Sequence, residues 1–60
     1  MQVYLDGELL YTSQYEQTDE NWFYLIEQEP EVQQVIADNK HNPRLMGLWV
    51  ENNKMYITTK

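Results

Sequence analysis

The sequence predicts a small α+β domain of order ββααββ, in which two β-hairpins form one antiparallel sheet with two short helices packed on one face. Three observations carry this reading. The dipeptide Asp6-Gly7 interrupts the apolar run "VYLDGELLY", and Asn52-Asn53 interrupts "LMGLWVENNKMYITT". Between these stretches lies sequence with helical periodicity, broken once at Pro30.

In the first hairpin, Asp6-Gly7 fits a two-residue type I′ turn, whose central residues both need positive φ. That register pairs Leu5 with Glu8, Tyr4 with Leu9, Val3 with Leu10 and Gln2 with Tyr11. Strand alternation then sends Val3, Leu5 and Leu10 to one face and Tyr4, Leu9 and Tyr11 to the other.

A first helix is expected to open near Thr18 or Asp19. Either can accept bonds from free amides, and Asp19 and Glu20 suit the positive end of the helix dipole. Ser13 with Glu16 also spells a capping box, so the helix could begin earlier, near residue 16. At the helical period Trp22, Phe23 and Ile26 turn inward, while Tyr24 stays on the far side with Glu20 and Glu27. Pro30 lacks an amide hydrogen and holds Glu29 out of helical geometry, yet it suits the first turn of a new helix. A break followed by a second helix over residues 31–40 is therefore expected, with Val32, Val35 and Ile36 as its apolar stripe. Lys40 and His41 complement its negative end, and Asn42-Pro43-Arg44 stops it.

The second hairpin turns at Asn52-Asn53, since Asn tolerates left-handed geometry best among residues with a side chain. It pairs Glu51 with Lys54, Val50 with Met55, Trp49 with Tyr56 and Leu48 with Ile57. Met46, Leu48, Val50, Met55 and Ile57 share a face, and Trp49 lies opposite Tyr56 on the other. A competing arrangement places the two hairpins in separate sheets across a dimer.

Composition narrows the function classes. Sixty residues allow one domain, residues 1–60, and a chain of this length buries only about 60% of its unfolded surface. Absence of cysteine excludes disulfide staples and thiolate metal sites. A hydrophobic share of 42% and an aromatic share of 13% argue against a disordered tail. No apolar run is long enough to span a membrane, and the amino-terminal stretch lacks the pattern of a signal peptide. The default expectation is a complete, soluble, cytoplasmic protein with no membrane contact.

Charge is the most distinctive feature. Residues 1–39 hold nine acids and no Lys or Arg, whereas residues 40–60 hold four bases and Glu51, for a formal net charge of −6. Phosphate backbones bind proteins through Lys and Arg that displace counterions, so direct nucleic-acid binding is disfavoured.

No motif for catalysis rises out of the chain. His41 stands in the polar stretch "DNKHNPR" with no orienting carboxylate or nucleophile assigned to it, which fits a helix-end role better than that of a general base. Asp38, Asn39 and Asn42 lack the spacing of a calcium loop. Glu27, Glu29 and Glu31 alternate, and residues two apart on a helix point away from each other. The pairs Glu16/Glu20 and Glu27/Glu31 would need a cleft that so short a chain is poorly able to build. With only Gly7 and Gly47, both in hairpins, there is no phosphate-cradling loop. The expectation is a non-enzyme with no cofactor, no metal and no catalytic residue.

Two interaction surfaces are expected. Glu16, Glu20 and Glu27 would line one side of a first helix running from about residue 16, with carboxylates four apart standing roughly 6 Å from each other, near the spacing of phosphates along a strand, and Glu31 would extend this acidic stripe. Such a stripe would suit a basic, nucleic-acid-binding surface of a partner protein; the simpler reading is a solvated helix face. Tyr4, Leu9, Tyr11, Trp49 and Tyr56 would gather on the sheet face away from the helices, as a partner or dimer contact. The leading expectation is an acidic protein-binding module, an inhibitor or regulator of a partner with a basic surface. The alternatives are a homodimeric structural or adaptor domain, and, more weakly, a single-stranded nucleic-acid binder using the aromatic face.

Overall fold

The computed structural model describes residues 1–41 and 47–59. Its elements run β1 (Gln2–Leu5), β2 (Glu8–Thr12), α1 (Trp22–Glu27), α2 (Pro30–Asp38), β3 (Gly47–Glu51) and β4 (Lys54–Thr58), an α+β fold in the expected order. Both hairpin turns form where the sequence places them. Asp6 and Gly7 have φ of 50° and 89°, and Asn52 and Asn53 have φ of 52° and 61°. Positive φ at both central positions matches the right-handed twist of the strands that each turn joins.

The second hairpin keeps the expected register from Leu48↔Ile57 to Glu51↔Lys54. The first does not. Leu5↔Glu8 and Tyr4↔Leu9 pair as expected, but Val3 then opposes Tyr11 and Gln2 opposes Thr12. Leu10 is thus the extra residue of a β-bulge, and every later side chain of β2 changes face. Tyr11 comes to the inner face beside Val3, where it packs on the core together with Leu10. Since Leu10 and Tyr11 can both bury apolar surface, the alternation pattern alone does not distinguish the bulged from the regular ladder.

The strand order is β2-β1-β4-β3, and β1 and β4 run parallel. This corrects the expectation of an all-antiparallel sheet. The cause lies in the connection between the hairpins. The stretch from residue 13 to residue 41 carries two helices, and a connection through helices lets β2 and β3 run the same way. Their hairpin partners β1 and β4 must then also run the same way. Both hairpins belong to one sheet of one chain.

The helices cover one face of this sheet. Val3, Met55 and Ile57 from the central strands meet Ile26, Val32 and Val35 from the helices, with Met1 completing the buried cluster. Val32 and Val35 are buried and Ile36 half-buried, as the stripe of α2 requires. Pro30 occupies the first turn of α2, and Glu29 before it is extended at φ −70° and ψ 143°. The two helices are therefore separate. Asn39 closes α2 by donating through Nδ2 to the Val35 carbonyl at 2.8 Å. The expected stop at Asn42-Pro43-Arg44 and the inward placement of Met46 lie outside the described residues.

The first helix is shorter than expected. It has only six residues and begins after Asn21, which adopts φ 59° and makes no side-chain cap. Thr18 and Asp19 precede it as turn residues, and Asp19 Oδ2 accepts from the Glu16 amide at 2.8 Å. Ser13 and Glu16 form no capping box; the Ser13 hydroxyl accepts from the Tyr15 amide at 3.1 Å and donates to Glu29. Phe23 was expected inside but is 44% exposed, with its ring edge-on to Trp22 at 5.6 Å. Among the described residues no helix is long and apolar enough to cross a membrane.

One clasp holds the 13–21 segment to the second hairpin. Gln17 donates its amide to Asn53 Oδ1 at 2.8 Å, and Asn53 donates its amide to Gln17 Oε1 at 2.9 Å. Asn53 Nδ2 also donates to Glu16. Asn53→Gly keeps the turn geometry but removes the side-chain bonds, and should cost about 1–2 kcal/mol. Asn52→Gly, at the adjacent left-handed position, should cost almost nothing. Equal urea midpoints for the two variants would show that the clasp contributes nothing.

Candidate functional site

The open face of the sheet carries a single row of large side chains across all four strands. Tyr4 pairs with Leu9 on β2 and with Tyr56 on β4, and Tyr56 pairs with Trp49 on β3. The row is thus Leu9–Tyr4–Tyr56–Trp49. Tyr4 stacks on Tyr56 with ring centroids 5.2 Å apart and planes 16° apart, and Trp49 stacks on Tyr56 with the same values. Offset stacks of this kind are preferred by the ring quadrupoles. The ends of the row are the most open, with Leu9 52% and Trp49 49% exposed.

Beside this row runs a polar one, Thr12–Gln2–Lys54–Glu51, from the same pairings one step along. The Tyr4 hydroxyl donates to Gln2 Oε1 at 3.2 Å and ties the two rows together. Sequence reasoning placed Lys54 and Glu51 beside the rings but missed Gln2 and Thr12. Their position depends on the bulge and on the parallel β1–β4 register, for which no local signal exists.

Of the five residues expected on this face, Tyr4, Leu9, Trp49 and Tyr56 are brought together and Tyr11 is not. The bulge turns Tyr11 inward. Its hydroxyl is enclosed near the Ser13–Glu29 pair, with no hydrogen-bond partner among the described residues. Burial, then the charges of Glu29 and Glu31, hold the phenol neutral and push its pKa well above the ordinary value.

This shift has a pH consequence. The unfolded chain ionises Tyr11 near pH 10 and the folded chain only above that. The folded state's advantage is complete below about pH 10 and falls as pH rises further. Tyr11→Phe should therefore lose less stability than the wild type between about pH 9 and pH 11, read from urea midpoints. Near neutral pH its stability should stay within about 1 kcal/mol of the wild type, because the enclosed hydroxyl makes no well-formed hydrogen bond whose loss would cost more. Parallel alkaline decline in both proteins would contradict the assignment.

The four acids of the expected stripe occupy different kinds of backbone. Glu16 lies in the 13–21 segment, its carboxylate 3.7 Å from the Met1 amino group. Glu20 is an exposed turn residue just before α1, Glu27 is the last residue of α1, and Glu31 lies in the first turn of α2. With α1 starting at Trp22 and the chain breaking at Pro30, no helix aligns them at four-residue spacing. What remains is an uneven charge distribution. Residues 13–41 hold seven of the ten acids and one base, Lys40, whereas Glu51 and Lys54 balance each other on the open face.

A concave feature lies on the helix side. Phe23, Ile36 and Leu48 flank a hollow of about 200 Å³ floored by Val32, Met55 and Ile57, with Glu27 as its acidic lining residue. Leu48 is 40% exposed there, although its strand face is the covered one.

The chain matches no protein-family model, no curated protein and no solved structure.

Proposed function

We infer that this chain is a non-enzymatic protein-binding module whose contact surface is the open face of its sheet. The observation that carries this is the Leu9–Tyr4–Tyr56–Trp49 row, which spans every strand, while the helices of the described residues pack on the opposite face. Rings locked in a stack have lost their side-chain entropy before any partner arrives, which favours aromatic residues as anchors. Tyr and Trp also present a polar edge to water, so the face remains soluble when empty.

The acids of residues 13–41 act at longer range. Their field draws a partner with a basic surface and raises the association rate, as an inhibitor or regulator of such a partner would need. A nucleic acid is the poorer occupant. Lys54 is the one base in the two rows of the open face, and it sits opposite Glu51.

Affinity capture from the source cell tests this reading with three baits: wild type, Trp49→Ala, and the double variant Glu20→Lys/Glu27→Lys. Trp49→Ala should release the captured protein. The charge reversal should slow capture about tenfold at low salt while leaving bound partner in place. A partner held equally well by wild type and by Trp49→Ala would rule out the open face as its contact.

A further inference from the structure

We propose that the occupant of the open sheet face is a second copy of this chain, docked face to face about a two-fold axis running along the strands between β1 and β4. This rests on reading that face as a contact surface and names what it contacts.

The residues of the face are complementary to themselves about this axis. Rotation lays β1 over β4 of the second copy and β2 over β3, because the strand order is β2-β1-β4-β3. In the aromatic row, Leu9 then meets Trp49 of the second copy and Tyr4 meets Tyr56. In the polar row, Gln2 meets Lys54 and Thr12 meets Glu51. Apolar groups meet apolar groups, each charge meets a neutral side chain able to bond it, and no like charges are opposed. The face itself carries no net charge among its described residues, since Glu51 pairs with Lys54, so two copies of it meet without repulsion.

The net charge of −6 does not prevent the contact. Face-to-face packing gives four layers, helix–sheet–sheet–helix, at roughly 10 Å per step. The two acidic helix layers then stand about 30 Å apart, several times the roughly 8 Å screening length at physiological salt. Both remain outward, so the dimer presents two copies of the charge that would draw a basic partner.

Area sets the expected strength. Four strands about 4.8 Å apart and five residues long cover roughly 300 Å² of sheet. That lies below the roughly 800 Å² per partner of a standard interface, so the dimer should be weak, with a Kd of about 10–100 µM.

Sedimentation equilibrium of the full chain from about 1 µM to about 1 mM tests the proposal. The wild type should pass from monomer to dimer across this range. Leu9→Lys and Trp49→Glu should each weaken the dimer at least about tenfold. The double variant Leu9→Lys/Trp49→Glu should regain dimerisation, because about this axis each introduced lysine meets an introduced glutamate of the other copy. Circular dichroism and urea midpoints establish that the variants are folded, and the wild-type titration depends on no variant.

A wild type that stays monomeric throughout would overturn the proposal. A folded double variant that stays monomeric while the wild type dimerises would overturn the axis, since rotation across the strands opposes lysine to lysine. The underlying reading is separable. A monomeric wild type whose cellular partner is still lost with Trp49→Ala removes the second copy and keeps the contact surface. A monomer whose partner ignores Trp49→Ala removes both.

Discussion

Ile26→Ala should remove about half of this chain's folding stability. Ile26 has no solvent exposure and is the one buried residue of α1. Truncating a buried isoleucine to alanine costs about 2–5 kcal/mol, because the apolar transfer term is lost and a cavity remains. A chain of 60 residues has a total stability of roughly 3–9 kcal/mol at the usual value per residue. The loss is therefore about half of the whole. Nor can α1 survive on its own, since a six-residue helix lies well below the length at which isolated helices persist in water. Urea denaturation followed by far-ultraviolet circular dichroism measures the outcome. A variant with the wild-type midpoint would mean that α1 is not held by this side chain.

The second large effect is expected at Tyr56. It is the one ring that stacks on two others, Tyr4 on one side and Trp49 on the other, both at 5.2 Å. Each such pair contributes about 0.5–1.5 kcal/mol beyond burial, so Tyr56→Ala should lose roughly 1–3 kcal/mol from stacking alone. Tyr4→Ala and Trp49→Ala lose one pair each and should cost about half as much. A double-mutant cycle between Tyr4 and Trp49 should show little direct coupling once Tyr56 is absent, because their registers place Tyr56 between them. Three equal destabilisations would show that the rings act separately and not as a row.

These effects fall on residues that differ in how far the sequence exposes their role. Ile26 and Val35 are legible from helical period alone, because a polar-flanked apolar stripe has one place to go. Tyr56 and Trp49 are legible from the Asn52-Asn53 turn, which sets their register once both turn residues accept positive φ. Tyr11 is not legible. Its face depends on whether β2 carries a bulge, and the pair Leu10-Tyr11 is apolar enough to satisfy either ladder. Phe23 also fails the periodicity argument, since one short helix turn leaves the wide apolar arc only partly covered. Glu16 and Glu20 were grouped with Glu27 on an assumed helix start near residue 16. Local turn bonds from Asp19 and Ser13 supply the amide partners of that segment instead, and the helix begins later.

What the sequence by itself determines here is local: two turns, the strands they join, a helical break at Pro30, and the sign of the charge along each segment. Each depends on residues close in the chain and on steric or electrostatic preferences that need no distant partner. The tertiary structure decided the rest. The two hairpins meet side by side as parallel neighbours because the connection through helices lets β2 and β3 run the same way. That choice sets Tyr4 against Tyr56 and Gln2 against Lys54, pairs separated by more than fifty positions in a chain of 60 residues. The bulge in β2 then sends Tyr11 inward. The aromatic row exists only after both have happened, since its register comes from long-range pairing that short-range preferences leave open.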